Sequence, residues 1–204
     1  MTEFLVPARP AESELVVKRS RFLGHLVPAS SEDEAKAFLQ EMRKRFYDAR
    51  HNCWCYRIYD GPERYSDDGE PQGSAGMPML EVFRREEIWN FCCVVTRYFG
   101  GVLLGTGGLA RAYGSAAKEA LVLAGTLIIG EWTEIRLVCG YGMLEKILAA
   151  LRAAGAVITE TEYGGEVTVR ASVPASAAEA AAAAVTELSG GKVIPAVSGT
   201  VLRS

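Results

Sequence analysis

Two stretches of this chain concentrate the residue types from which a binding or catalytic site can be built. The first, Ser66-Asp67-Asp68-Gly69-Glu70-Pro71, sets Asp67, Asp68 and Glu70 close together, with Ser74 just beyond. Paired carboxylates beside a hydroxyl suit a divalent cation or an acid–base pair. Equally, Asp67 or Asp68 can hold an arginine in a charge-assisted hydrogen bond. The stretch lacks the calcium-loop pattern, and Gly73-Ser74-Ala75-Gly76 is not a nucleophile elbow. The second stretch, Val94 to Tyr113, runs Arg97-Tyr98-Phe99-Gly100-Gly101, then three aliphatics, then Gly105, Gly107, Gly108, Arg111 and Tyr113. Five glycines in nine positions cost backbone entropy, so the chain there either turns through positive φ or lets something approach its main chain.

The glycine cluster admits three readings. Val102-Leu103-Leu104 followed by Gly105-x-Gly107-x-x-Ala110 has the spacing of a dinucleotide fingerprint, with Leu127 to Ile129 and Glu131 downstream. Against it, the preceding strand is better placed at Phe91 to Arg97, and repeated βαβ units are lacking. The second reading is an anion site, because glycine amides leading into a helix N-terminus form a positive concavity. Arg97 and Arg111 would add bidentate contacts there, while Tyr98 and Phe99 would stack on bases. In the third reading the glycines only shape a turn, Arg97 pairs with the acidic loop and the aromatics fill a core.

The elements that must hold these stretches are legible from periodicity. Glu14 to Lys18 and Arg21 to Val27 read as a hairpin around Lys18-Arg19-Ser20. Ser31 can cap a helix that runs to about Tyr47, with Glu32, Asp33 and Glu34 at its positive end. Asn52 to Tyr59 alternates as a strand, whereas Asp60 to Gly76 is so rich in turn formers that no regular structure is expected in it. A short helix over Met77 to Arg85, a strand over Trp89 to Arg97 and a helix over Leu109 to Leu123 follow. Beyond about residue 130 the order is strand (Thr133–Cys139), helix (Gly142–Ala154), two strands about Gly164-Gly165, helix (Ala175–Leu188) and a last strand (Lys192–Leu202). This β-α-β-β-α-β order is the ferredoxin-like unit, so the expectation is an α+β chain of two domains, 1–130 and 131–204.

A net charge of −3 means that any polyanion must be met by a local basic patch. The longest apolar runs fall short of a membrane span, and the acidic N-terminal stretch lacks a signal core, so a cytoplasmic location is expected. The five cysteines include Cys53-x-Cys55, but no second ligand pair completes a zinc site, and His25 and His51 stand alone. Buried thiols are expected, with neither metal nor cofactor.

Taken in order, the motifs resemble the IMPACT family, in its bacterial YigZ-like branch. The residues that carry this are Lys18-x-Ser20-Arg21-Phe22, His51-Asn52-Cys53, Ser66 to Pro71 with Gly73 and Ala75-Gly76, Arg97 to Gly101, and Leu104-Gly105-x-Gly107-Gly108-Leu109-x-Arg111-Ala112-Tyr113. Gln72 and Ser74 stand where many members have serine and threonine, so neither side chain should be essential. The resemblance implies an N-terminal α/β sandwich like the second domain of a small-subunit ribosomal protein. It also implies a C-terminal domain similar to that of elongation factor G. Eukaryotic members act in translation control. The expected partner is therefore the ribosome, structured RNA or a translation-related protein, and no membrane. Arg97 and Arg111 would contact phosphates, Tyr98 would stack or line the groove, and Gly100, Gly101, Gly105, Gly107 and Gly108 would admit the ligand. Asp67, Asp68 and Glu70 would position the arginines. The rivals are a metal-dependent hydrolase on the acidic loop and a protein–protein adaptor whose cleft is structural.

Overall fold

A computed structural model describes residues 3–203. The chain is α+β and divides into two compact units, with the break between Ile128 and Ile129.

In the first unit, strands β2 (Ala11–Val17), β3 (Ser20–Pro28), β4 (His51–Arg57), β5 (Glu63–Ser66) and β6 (Phe91–Tyr98) form an antiparallel sheet in the order β2-β3-β6-β4-β5. A short strand β1 (Phe4–Pro7) precedes them; it was not expected, being only four residues long. Helices α2 (Gly76–Arg85) and α3 (Thr106–Ala124) cover one face of the sheet, where Met79, Phe83, Leu109 and Ala116 pack on Phe22, Cys53, Cys93 and Val95. Helix α1 (Glu32–Arg45) covers the other, setting Ala35, Leu39 and Met42 on Tyr56, Cys92 and Val94. Its start is fixed as expected: the Ser31 hydroxyl accepts the Glu34 N–H at 3.2 Å, and three acidic residues follow at the positive end.

β2 and β3 are joined by a two-residue turn, Lys18 and Arg19, both at positive φ (45° and 69°). Such turns match the right-handed strand twist and ordinarily take Asn-Gly. Two long cationic side chains in that conformation are therefore held at some backbone cost.

The stretch Asp60 to Gly76 is not wholly irregular. Glu63–Ser66 adds β5 to the sheet edge, because Gly61-Pro62 folds the chain back beside β4 and Arg57 meets Glu63 across the strands at 2.9 Å.

In the second unit, β7 (Thr126–Cys139), α4 (Tyr141–Ala153), β8 (Val157–Tyr163), β9 (Val167–Pro174), α5 (Ala178–Leu188) and β10 (Ala196–Arg203) follow the β-α-β-β-α-β order. β7 pairs antiparallel with β9 and β10, β9 pairs antiparallel with β8, and β1 beside β7 is the fifth strand of this sheet. Ile147, Leu151, Ala181 and Val185 of the helices pack on Ile135, Leu137, Val169 and Ala171 of the sheet. β7 starts before the expected Thr133 and β10 starts after Lys192. Among the described residues no helix is long and apolar enough to cross a membrane. All five cysteines are buried and unpaired.

His25 on β3 is 4% exposed, lies 3.4 Å from Glu12, and both its ring nitrogens lack hydrogen bonds. Burial, chiefly, holds its pKa below the ordinary value; Arg45 pushes the same way, and Glu12 opposes. The folded state then binds the proton less readily than the unfolded chain. The contribution of neutral His25 is present above the ordinary histidine value, about 6.5, and is lost as pH falls below it. Melting temperature should fall from pH 7 to pH 5, and His25→Leu should flatten that fall.

Candidate functional site

Three segments of the first unit converge: the end of β6, the loop between β5 and α2, and the glycine turn that enters α3. Arg97 points from β6 into the α2/α3 face and is only 6% exposed. Its Nη1 donates to Glu70 Oε1 at 2.7 Å, and the Tyr113 hydroxyl donates to the same oxygen at 2.8 Å. The guanidinium lies 5.6 Å from the Phe22 ring and 5.4 Å from the Phe99 ring, while its Nε is buried without a partner. Burial raises the Tyr113 pKa far above the ordinary tyrosine value, so this hydroxyl stays a donor.

Asp67 works on backbone. Its Oδ1 accepts the amides of Ala75 and Gly76, each at 2.9 Å, and its Oδ2 accepts that of Gly73 at 2.8 Å. Helix α2 begins at Gly76 after an alanine that has no capping side chain, so Asp67 supplies the missing cap from across the loop. Gly76 is obligatory there, because a Cβ would lie 2.7 Å from the Ser66 carbonyl oxygen.

Asp68 accepts the Asn52 amide at 2.7 Å, and its carbonyl accepts His51 Nδ1–H at 2.9 Å. Neither aspartate touches Arg97 or Arg111; Glu70 holds Arg97. Among the described residues no three His, Cys, Asp or Glu side chains are grouped to hold a metal ion. Cys53 donates its S–H to the Asp67 carbonyl at 2.9 Å, and burial pushes its thiol pKa far up, so it offers no thiolate.

Tyr98 points to the opposite sheet face, where its hydroxyl donates to Asp48 at 2.9 Å. Val102 to Leu104 form no strand, so the dinucleotide spacing lacks its structural context. The turn instead carries Gly101 and Gly105 at φ 83° and 72°, with open space where their Cβ atoms would be. Helix α3 starts at Thr106 without a side-chain cap, and its first intrahelical donor is the Leu109 amide. The amides of Thr106, Gly107 and Gly108 therefore lack intrahelical acceptors. Nothing lies within 4 Å of where a Gly107 Cβ would stand.

Arg111, one turn into α3, is exposed and lines a pocket of about 290 Å³ with Lys18, Leu15, Leu104 and Gly108. The hairpin turn abuts the glycine turn: a Cβ on Gly100 would lie 2.0 Å from the Arg19 carbonyl carbon. Lys18 and Arg111 thus lie beside the start of α3, with Arg19 next in the adjoining hairpin turn, and none of these side chains is hydrogen-bonded or ion-paired to a described residue. Phe99 and Leu103, 53% and 82% exposed, belong to the same turn. Lys18 and Arg19 were not anticipated as site residues. The available signal was a Lys-Arg pair at the two-residue tip of a hairpin, a position that needs no charge.

The two units match known domains separately. Residues 18–121 match the Impact N-terminal domain, and residues 137–192 match a domain of unknown function (DUF1949). IMPACT family member YvyE of Bacillus subtilis (strain 168) is 39% identical over 183 residues, which is 89% of this chain and 84% of that protein. This chain belongs to the IMPACT family. YigZ, the IMPACT family member of Escherichia coli (strain K12), is 38% identical over 180 residues, 86% of this chain and 88% of YigZ. Protein IMPACT of Rattus norvegicus is 34% identical over 93 residues, which are 43% of this chain and 29% of the rat protein. A crystal structure of a hypothetical protein, 35% identical, aligns over 96% of this chain and 97% of its own with a TM-score of 0.64.

Proposed function

We propose that this IMPACT-family chain is an RNA-binding protein that engages structured RNA, that of the ribosome included, and modulates translation through that contact. One observation carries the reading: Lys18 and Arg111 share a pocket with Leu104 and Gly108 at an uncapped helix start, Arg19 follows Lys18 in a hairpin turn that abuts the glycine turn, and all three are exposed and without partners among the described residues. Several other cations are each neutralised by a neighbouring glutamate, as in Arg21–Glu14, Arg45–Glu12, Arg84–Glu81 and Lys118–Glu86. Free cations beside free amides favour phosphate, and in a chain of net charge −3 such a patch is a local attractor. The exposed Phe99 ring adds a face on which a base can stack. Arg97 serves indirectly: its bond to Glu70 joins the end of β6 to the loop, and Glu70 in turn holds Tyr113 of α3.

Binding of a labelled stem–loop RNA, followed by fluorescence anisotropy across a salt series, tests this. Each phosphate-contacting cation removed should reduce the slope of log affinity against log salt by about 1. The Lys18→Ala/Arg19→Ala/Arg111→Ala variant should bind weakly with a slope reduced by about 3. An unchanged slope, or no binding by the parent protein, would remove the reading.

A further inference from the structure

Arg111 also lines a second, larger hollow of about 750 Å³ between α2 and α3, whose apolar lining includes Met77, Pro78, Val82 and Ala110. The smaller pocket is likewise apolar at Leu15, Val17, Leu104 and Ala112. Arg111 and Ser115 line both. Among the charges of the larger hollow, Glu81 is taken by Arg84 at 2.6 Å and Lys118 by Glu86. Arg85, Arg111 and Glu119 have no such partner among the described residues. The unit therefore presents Lys18, Arg111 and Arg85 as separate free cations, with apolar hollows beside Arg111.

A duplex offers phosphates to such a series but keeps its bases stacked inside, so it leaves apolar hollows unfilled. An extended single strand satisfies both features, with phosphates on the cations and unstacked bases in the hollows. Glu119 points the same way, since a carboxylate repels a phosphate but accepts from a base N–H. We infer that this site takes a single-stranded RNA segment, with phosphates on Lys18, Arg111 and Arg85 and one unstacked base in each hollow beside Arg111. This rests on the RNA-binding reading above and narrows it to the unpaired loops, bulges or ends of a structured RNA.

The test compares a labelled 12-nucleotide RNA that cannot self-pair with the same strand annealed to its complement, by anisotropy at one salt concentration. The single strand should bind at least tenfold more tightly. Ser115→Trp fills space in both hollows without changing charge, and should weaken the strand about tenfold while leaving duplex binding unchanged. If Ser115→Trp does not fold, Arg85→Ala decides. Arg85 has no partner among the described residues, and its loss should lower the salt slope for the strand by about 0.7 while leaving that for the duplex unchanged. Equal binding of strand and duplex, or strand binding insensitive to these variants, overturns the inference and leaves RNA binding standing. No binding of either RNA removes both.

Discussion

Glu70→Ala should destabilise the first unit by about 3–5 kcal/mol, because it leaves a buried guanidinium without its counter-charge. Glu70 is 9% exposed and Arg97 6%, so neither charge has water to fall back on. The one carboxylate oxygen also accepts the Tyr113 hydroxyl, which would lose that acceptor as well. Tyr113→Phe, which removes only that donor, should cost about 1 kcal/mol. The diagnostic variant is Glu70→Ala/Arg97→Met, which removes both charges and keeps most of the arginine's volume. It should be more stable than Glu70→Ala alone, with a coupling of about 2 kcal/mol in urea unfolding. Additive losses would show that the two side chains do not act as a buried pair. The same pair explains why an arginine and a carboxylate beside a glycine turn need not be catalytic.

Gly100→Ala should be nearly as damaging, at about 3 kcal/mol, the upper end of overpacking costs. A Cβ there would lie 2.0 Å from the Arg19 carbonyl carbon and 2.3 Å from both the Arg19 oxygen and the Ser20 nitrogen. These are main-chain atoms of a hairpin turn, and the Gly100 amide itself donates to the Ser20 hydroxyl at 3.1 Å, so neither side can yield cheaply. Relief would require moving the Lys18-Arg19 turn, and RNA affinity should drop with stability. Gly107→Ala provides the contrast, since it sits in the first turn of α3 with no atom within 4 Å of the new Cβ. Helix propensity predicts a gain of about 0.5–1 kcal/mol there. Thermal and urea unfolding of the two variants, run together, would separate a glycine required by packing from one that packing merely permits. Equal effects would contradict the difference in close approach.

Most of the scaffold could be read from residue patterns because local chemistry and tertiary fold agree there. Ser31 with its three acids starts α1, the alternating apolar residues on either side of Lys18-Arg19 make the hairpin, and Gly164-Gly165 joins β8 to β9. β5 was hidden by its own flanks, since Gly61-Pro62 and the acidic run made a four-residue strand look like loop. The sequence did not show how the acidic loop pairs with Arg97, nor that Tyr98 faces Asp48 on the other side of the sheet. Asp67, Asp68 and Glu70 are chemically similar over four positions, and only the loop's course decides which of them faces Arg97. That course is set by Asp67 turning back to cap α2, which leaves Glu70 to reach the arginine. The exposure of Lys18 and Arg19 also depends on tertiary packing, because the proximity of Gly100 joins a hairpin tip to a turn eighty residues away.

The most direct measurement is co-sedimentation of the purified protein with ribosomes at low and high salt, with Lys18→Ala/Arg19→Ala/Arg111→Ala alongside. Cations acting on phosphates predict binding at low salt that weakens steeply as salt rises and is lost in the triple variant while its thermal stability is retained. Absence of binding at low salt, or a triple variant that sediments like the parent, would contradict a role for the glycine turn and its free cations in RNA recognition.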